Sequence, residues 1–190
     1  MRRQRGRSCC LKNLRHTFTL NSREFCIRLY KTRPFKQSSQ LTAHTYAHEQ
    51  MWIQAQSKNI RMVRNIDIDH GWVRGDSGLL ERAISNLLNN AIKYSPEGNT
   101  IVMNISRSDA HICCCVEDEG YGIPEDELPL LFERFRRAHS NSGDDQQGIG
   151  LGLALVKATA ERHGGHVEVH STVGQGSRFC LILPETDLTL

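Results

Sequence analysis

Asn86, Asn90 and Lys93 recur at i, i+4 and i+7, in a run from Ser77 to Tyr94 that also carries Ala83, Ile84, Leu87, Leu88 and Ala91. That spacing puts the polar three on one helical face, opposite an apolar stripe. Solvated faces usually carry Glu, Lys and Arg, and Asn is a poor helix former, so stacked Asn suggests a task; chance surface polarity is the alternative. A carboxamide oxygen can ligate Mg²⁺, and a lysine can meet a phosphate. A second cluster, Asp118-Glu119-Gly120-Tyr121-Gly122, ends an apolar strand in a carboxylate followed by two glycines. A carboxylate fixed there can accept from an exocyclic amine such as that of adenine, while a plain Asp turn would read alike. In Phe132-Glu133-Arg134-Phe135-Arg136-Arg137, two apolar anchors precede guanidinium groups that can reach a terminal phosphate, although a Phe pair at this spacing also suits ordinary core. The fourth cluster is Gly148-Ile149-Gly150-Leu151-Gly152-Leu153, ahead of a helix with Leu151, Leu155 and Ala158 on one face. Each glycine costs about 1 kcal/mol against Ala in a helix interior, so these three serve close approach or positive φ. The helix N-terminus behind them suits an anion, phosphate above all, though a flexible loop before an ordinary helix would look the same.

Periodicity supplies the elements that must position these clusters. β-character occurs at Thr17–Leu20 and Phe25–Tyr30, followed by a loop-like stretch to Gln40 and a weakly patterned helix over Leu41–Ser57. Ile60–Ile68 reads as a strand, Trp72–Arg74 as a short one, and Gly75-Asp76 as a turn able to start the Ser77–Tyr94 helix. Ser95-Pro96-Glu97-Gly98 stops that helix. Strands are expected at Thr100–Arg107 and His111–Asp118, a short acidic helix start at Pro124, and a mobile polar loop over 138–147. The glycine-led helix should run to His163, with Gly164-Gly165 as its stop. Two last strands, His166–His170 and Ser177–Leu183, are joined at Gly174-Gln175-Gly176. Helices mixed with antiparallel strand pairs predict an α+β fold, a two-layer α/β sandwich. The expected division is an atypical leader over 1–40, one domain over 41–185 and a tail over 186–190.

Composition bounds the function. With 190 residues, 38% hydrophobic and 24% charged, the chain suits one globular domain plus extra chain. A net charge of +3 is too small to argue for nucleic acid, and the basic MRRQRGR start reads as a solvated tail. No stretch approaches the roughly 20 apolar residues of a membrane span, and no apolar core follows the basic start as a signal peptide would require. The seven cysteines are an odd number, and Cys113, Cys114 and Cys115 are consecutive within a strand. Neighbouring strand residues face opposite ways, so these read as small buried hydrophobes in a reducing, cytoplasmic setting, without disulfide frame or zinc spacing.

Taken in order, NLLNNAIKYS, DEGYGI, LFERFRR, GIGLGL and GQGSRF resemble the ATP-binding catalytic domain of sensor histidine kinases, within the Bergerat-type fold shared with Hsp90, gyrase and MutL. The resemblance covers about residues 50–184. It implies a mostly antiparallel mixed sheet with helices on one face and a mobile ATP lid, with ATP and Mg²⁺ as cofactors. Asn90 would ligate the metal, Asn86 would support it, Lys93 and Arg137 would contact phosphate, and these four form the catalytic set. Asp118 would bind the adenine amino group with Tyr94 and Ser177 nearby, and Gly120, Gly122 and Ile123 would shape that end. Gly148, Gly150, Leu151, Gly152 and Leu153 would form the lid hinge and phosphate-side edge. Hydrolysing relatives carry a Glu where this chain has Asn86; Asn lacks the basicity to activate water, which favours transfer to an imidazole. The implied partners are a histidine phosphoacceptor and dimerisation domain and a response regulator receiver domain, with no nucleic acid and no membrane span in this chain. His48-Glu49 imitates the start of an acceptor motif, but Gln50-Met51-Trp52 follows it and too few residues separate it from Asn86 for a long hairpin. His16 and His44 have no supporting context. The expectation is therefore a truncated kinase or stand-alone module that does not autophosphorylate without an acceptor domain. A nucleotide-binding module without kinase activity, a GHL-type ATPase and an anti-sigma-like serine kinase are the alternatives.

Overall fold

The computed structural model describes residues 51, 53–68, 71, 73–136 and 150–186. The sheet runs in the order β1-β2-β3-β5-β4, from β1 (Arg61–Asp67), β2 (Thr100–Ser108), β3 (His111–Asp118), β4 (His166–Thr172) and β5 (Gly176–Pro184). Among the described strands only the β1–β2 pairing is parallel, and it is made across a helix, α1 (Ser77–Tyr94). A parallel neighbour needs such a crossover; β2–β3 and β4–β5 close with turns, while β3 and β5 pair across a longer connection that carries a helix and β4.

Local chemistry sets each boundary of α1. Asp76 accepts from the amides of Gly78 at 2.9 Å and Leu79 at 3.1 Å, an N-cap worth about 1 kcal/mol. At the far end Ser95 is extended ahead of Pro96, which disfavours the helical region for the residue before it. Leu80, Ala83, Ile84, Leu87, Leu88, Ala91 and Ile92 are buried, as the apolar period requires. They face one side of the sheet, made by Ile101 and Met103 of β2, Ile112, Cys114 and Val116 of β3, and Phe179, Leu181 and Leu183 of β5. The second helix, α2 (Gly152–Arg162), packs beside α1 on that same core. His163, just past α2, joins the two helices: one ring nitrogen lies 2.6 Å from the Thr159 carbonyl and the other accepts from the Asp76 amide at 2.9 Å. The tautomer with its proton on Nδ1 satisfies both.

The α+β two-layer sandwich read from the sequence is the fold observed, with helices on one face. Three expectations need correction. Val73 and Arg74 form no strand; Val73 is buried as a loop residue, so its burial came from tertiary packing. The buried side of α2 is Val156, Thr159 and Ala160 with Leu153 packed beside them, whereas Leu151 and Ala158 are exposed. Two apolar stripes compete on this helix, and contact with α1 and the sheet selects the second. The cysteines also differ. Cys114 faces the core, where burial pushes its thiol up to about 12, but Cys115 and Cys180 form a disulfide on the opposite face. The β3–β5 register sets them opposite each other, a pairing that spacing along the chain cannot show. The acidic helix expected at Pro124 is a 3₁₀ helix over Glu125–Leu130. The segments at Thr17–Leu20, Phe25–Tyr30 and 138–147, most of the Leu41–Ser57 helix, and all three of His16, His44 and His48 lie outside the described residues; residues 53–57 are helical.

A disulfide closing 65 residues of chain should stabilise the fold by roughly 2–4 kcal/mol through the unfolded state. Cys180→Ser is expected to unfold at lower temperature than the wild type without reductant, and dithiothreitol should bring the two melting temperatures together. Melting curves recorded with and without reductant check this.

Candidate functional site

The polar face of α1, the loop after β3, the start of α2 and the start of β5 meet at one end of the sandwich. Asn86 is half-buried, and its Nδ2 donates to the Gly152 carbonyl at 3.4 Å. A carboxylate at position 86 would set oxygen against oxygen there, so the geometry itself favours Asn over Glu. Asn90 lies one turn further on, half-buried, and Lys93 follows with its ammonium 5.0 Å from the centre of the Tyr94 ring.

Asp118 ends β3, opposite Ser177 of β5. Its Oδ1 accepts from the Gly120 amide at 2.9 Å, which orients the carboxylate. Burial raises the carboxyl to about 6, and bonds from the Gly120 and Ser177 backbone partly offset that rise. A half-buried carboxylate with no cationic partner among the described residues suits a hydrogen-bond donor from outside the chain. The loop that follows is held against α1, since the Tyr121 amide donates to the Tyr94 carbonyl at 3.3 Å.

Gly120 and Gly122 lie in the loop after Asp118. In the structure the close neighbours are protein backbone: a Cβ would fall 2.5 Å from the Tyr94 carbonyl oxygen at Gly120 and 2.0 Å from that of Thr172 at Gly122. The Ile123 amide donates to Ser171 Oγ at 2.8 Å, and that hydroxyl lies 2.9 Å from Ser177 Oγ and donates to the Gly176 carbonyl at 2.9 Å. Ser171, on β4, thus ties the loop to both strands, and sequence reading missed it because its partners lie on two other elements, the loop and β5.

Gly150 accepts from the Phe135 amide at 3.0 Å, so the LFERFRR segment and the glycine run are joined at their described ends. Leu151 is exposed and Leu153 packs on the core. α2 begins with no side-chain cap on its first turn. Arg137 and Gly148 lie outside the described residues.

Among the described residues no group of three His, Cys, Asp or Glu side chains could cage a metal ion. Mg²⁺ is commonly held by one or two protein oxygens together with substrate phosphates and water, and a half-buried carboxamide at Asn90 fits that mode. No described helix is long and apolar enough to cross a membrane.

Residues 75–187 match the family described as histidine kinase-, DNA gyrase B-, and HSP90-like ATPase. The circadian input-output histidine kinase CikA of Synechococcus elongatus is 40% identical over 115 residues, which is 60% of this chain and 15% of CikA. The solved structure of the mycobacterial sensor histidine kinase MprB aligns at a TM-score of 0.63 and 31% identity, covering 76% of this chain and 97% of that one. Full-length ShkA, solved in complex with AMPPNP, aligns at 0.64 and 26% identity over 77% of this chain and 30% of that one. The chain spans 15%, 19% and 23% of the lengths of three curated relatives it matches.

Proposed function

This chain belongs to the family of histidine kinase-, DNA gyrase B- and HSP90-like ATPases, and we propose that it binds ATP·Mg²⁺ and passes the γ-phosphoryl group to a histidine on a separate acceptor domain, for relay to a response regulator. The observation that carries this reading is Asp118, an oriented, half-buried carboxylate at the strand end nearest the Tyr94 turn. It would accept from the adenine amino group, with Gly120, Gly122, Ile123 and Ser177 holding its surroundings. Asn90 would hold Mg²⁺, which would offset negative charge on the nucleotide phosphates. Lys93 and Arg137 would meet phosphate, and the uncapped amides at the start of α2 favour an anion beside them.

Catalysis on this reading is positioning and charge neutralisation. The neutral imidazole nitrogen of the acceptor forms a bond to the γ-phosphorus as the bond to the bridging oxygen breaks, and ADP leaves. Asn86 supports transfer over hydrolysis, because its carboxamide is spent on Gly152 and is no base for water. The isolated chain should therefore bind ATP and release no steady phosphate. Continuous phosphate release that Asn86→Ala abolishes would instead establish an ATPase. Asn90→Ala is expected to weaken ATP binding about tenfold in Mg²⁺, the loss of one ligand in a partly wet site, and to change little in EDTA. Titrations in the two buffers check the metal role.

A further inference from the structure

Lys58 lies in the turn between the helical residues 53–57 and β1. Its Nζ donates to three carbonyls at the end of α1: Ile92 at 3.1 Å, Lys93 at 2.9 Å and Ser95 at 3.2 Å. A helix leaves its last carbonyls without partners inside the helix, and a cation there also meets the negative end of the helix dipole. One ammonium with three donors answers most of that need. The remaining carbonyl, that of Tyr94, receives the Tyr121 amide at 3.3 Å. Lys58 is itself fixed, since its carbonyl accepts from the Gly98 amide at 2.8 Å, and Asn59 beside it donates to Glu97 at 2.7 Å.

The Tyr94 carbonyl is where α1 touches the loop after β3. Gly120 packs on it so closely that a Cβ would fall 2.5 Å away, and the same glycine's amide orients Asp118. A continuous series of contacts therefore runs from the Lys58 ammonium through the last turn of α1 to the Asp118 carboxylate. The loop is also held from its other side, by Asn99 Nδ2 on the Glu119 carbonyl at 2.7 Å and by the Gly174 amide on the Tyr121 carbonyl at 2.8 Å. Loss of the lysine should then shift the loop rather than release it.

We propose that Lys58 is a positioning residue for adenine-nucleotide binding, setting through the end of α1 the place from which Asp118 meets the base. This rests on the reading of Asp118 as the adenine-binding group. The test is a calorimetric ATP titration of the wild type, Lys58→Met, Asp118→Asn and the double variant, with amide exchange followed at Tyr121. Lys58→Met keeps the aliphatic stem and should bind ATP about tenfold more weakly, the effect of one charge-assisted bond. Tyr121 should exchange faster than the amides of β3 in that variant. In the Asp118→Asn background the same change should alter affinity by less than about twofold, because coupled residues share one loss. Lys58→Gln, with two donors in place of three, should fall between, and gives the same comparison if the Met variant does not fold. Wild-type affinity in Lys58→Met, or an equal loss in both backgrounds, overturns the proposal and leaves Asp118 untouched. A wild type that binds no ATP overturns the Asp118 reading and this inference with it.

Discussion

Asp118→Asn is expected to bind ATP about a hundredfold more weakly than the wild type, a loss near 3 kcal/mol for a charge-assisted bond in a half-buried site. The variant amide can also turn its own NH₂ toward the adenine amine, donor against donor, which adds to the loss. The same substitution should make the unliganded fold more stable at neutral pH. Burial raises the Asp118 carboxyl from 3.8 to about 6. A carboxyl that binds its proton more tightly folded than unfolded favours the fold at low pH, and that advantage is lost as pH rises from about 4 to about 6. Asn carries no charge to bury, so the variant should gain on the wild type across that window by 1–3 kcal/mol, an order-of-magnitude figure given the partial exposure. Binding follows the opposite course: wild-type affinity should fall as pH drops below about 6, and the difference from Asp118→Asn should narrow with it. Thermal melts and ATP titrations of both proteins between about pH 4 and about pH 8 (roughly two units either side of the raised value) measure both effects. A variant less stable than the wild type at neutral pH, with unchanged affinity, would remove Asp118 from the adenine site.

Gly176→Ala should be among the most damaging single methyl groups at the described glycines. Gly176 opens β5 at φ +100, and a Cβ there would lie 1.9 Å from the Asp118 carbonyl oxygen and 2.8 Å from its carbon. Those atoms are backbone in a paired strand, so neither can swing aside, and the next residue, Ser177, is the one paired with Asp118. Both the strain at positive φ and the overlap must be relieved, at about 4 kcal/mol or more. Gly174 provides the control. It also sits at positive φ, +77, but a Cβ there meets nothing within 4 Å. Gly174→Ala should therefore cost about 1 kcal/mol, the backbone term alone. Urea unfolding of both variants separates space from strain. Equal midpoints for the two would show that the contact at Asp118 is looser than described.

How much of this could be read beforehand depended on how local the cause was. The α1 stripe, its Asp76 cap and its stop before Pro96 are short-range features, and the observed bounds Ser77–Tyr94 equal the expected ones. β3 ends at Asp118, the expected bound. The misplaced face of α2 shows the limit: Leu151, Leu155 and Ala158 are as regularly spaced as Leu153, Val156 and Ala160, and only contact with α1 and the sheet decides between them. The Cys115–Cys180 pair, the Ser171 hydroxyl and the Lys58 cap were hidden for a related reason. Each joins residues far apart in sequence, through strand register or a side chain crossing between elements, and no periodicity records that. In the candidate site, residue types pointed to amine and phosphate chemistry at Asp118 and Lys93. Only the structure revealed that Gly120 and Gly122 press against neighbouring backbone.

The proposed function requires that the γ-phosphoryl group of ATP reach a histidine on a separate acceptor domain. The most direct measurement mixes the purified chain with a separately produced histidine-containing acceptor hairpin, Mg²⁺ and ATP labelled at the γ-phosphate. The label should appear on the hairpin as an acid-labile, base-stable phosphohistidine, disappear with Asp118→Asn, and be absent when the acceptor histidine is replaced. Tight ATP binding with no label on the hairpin, across cognate and non-cognate acceptors, would contradict the account and leave a nucleotide-binding module.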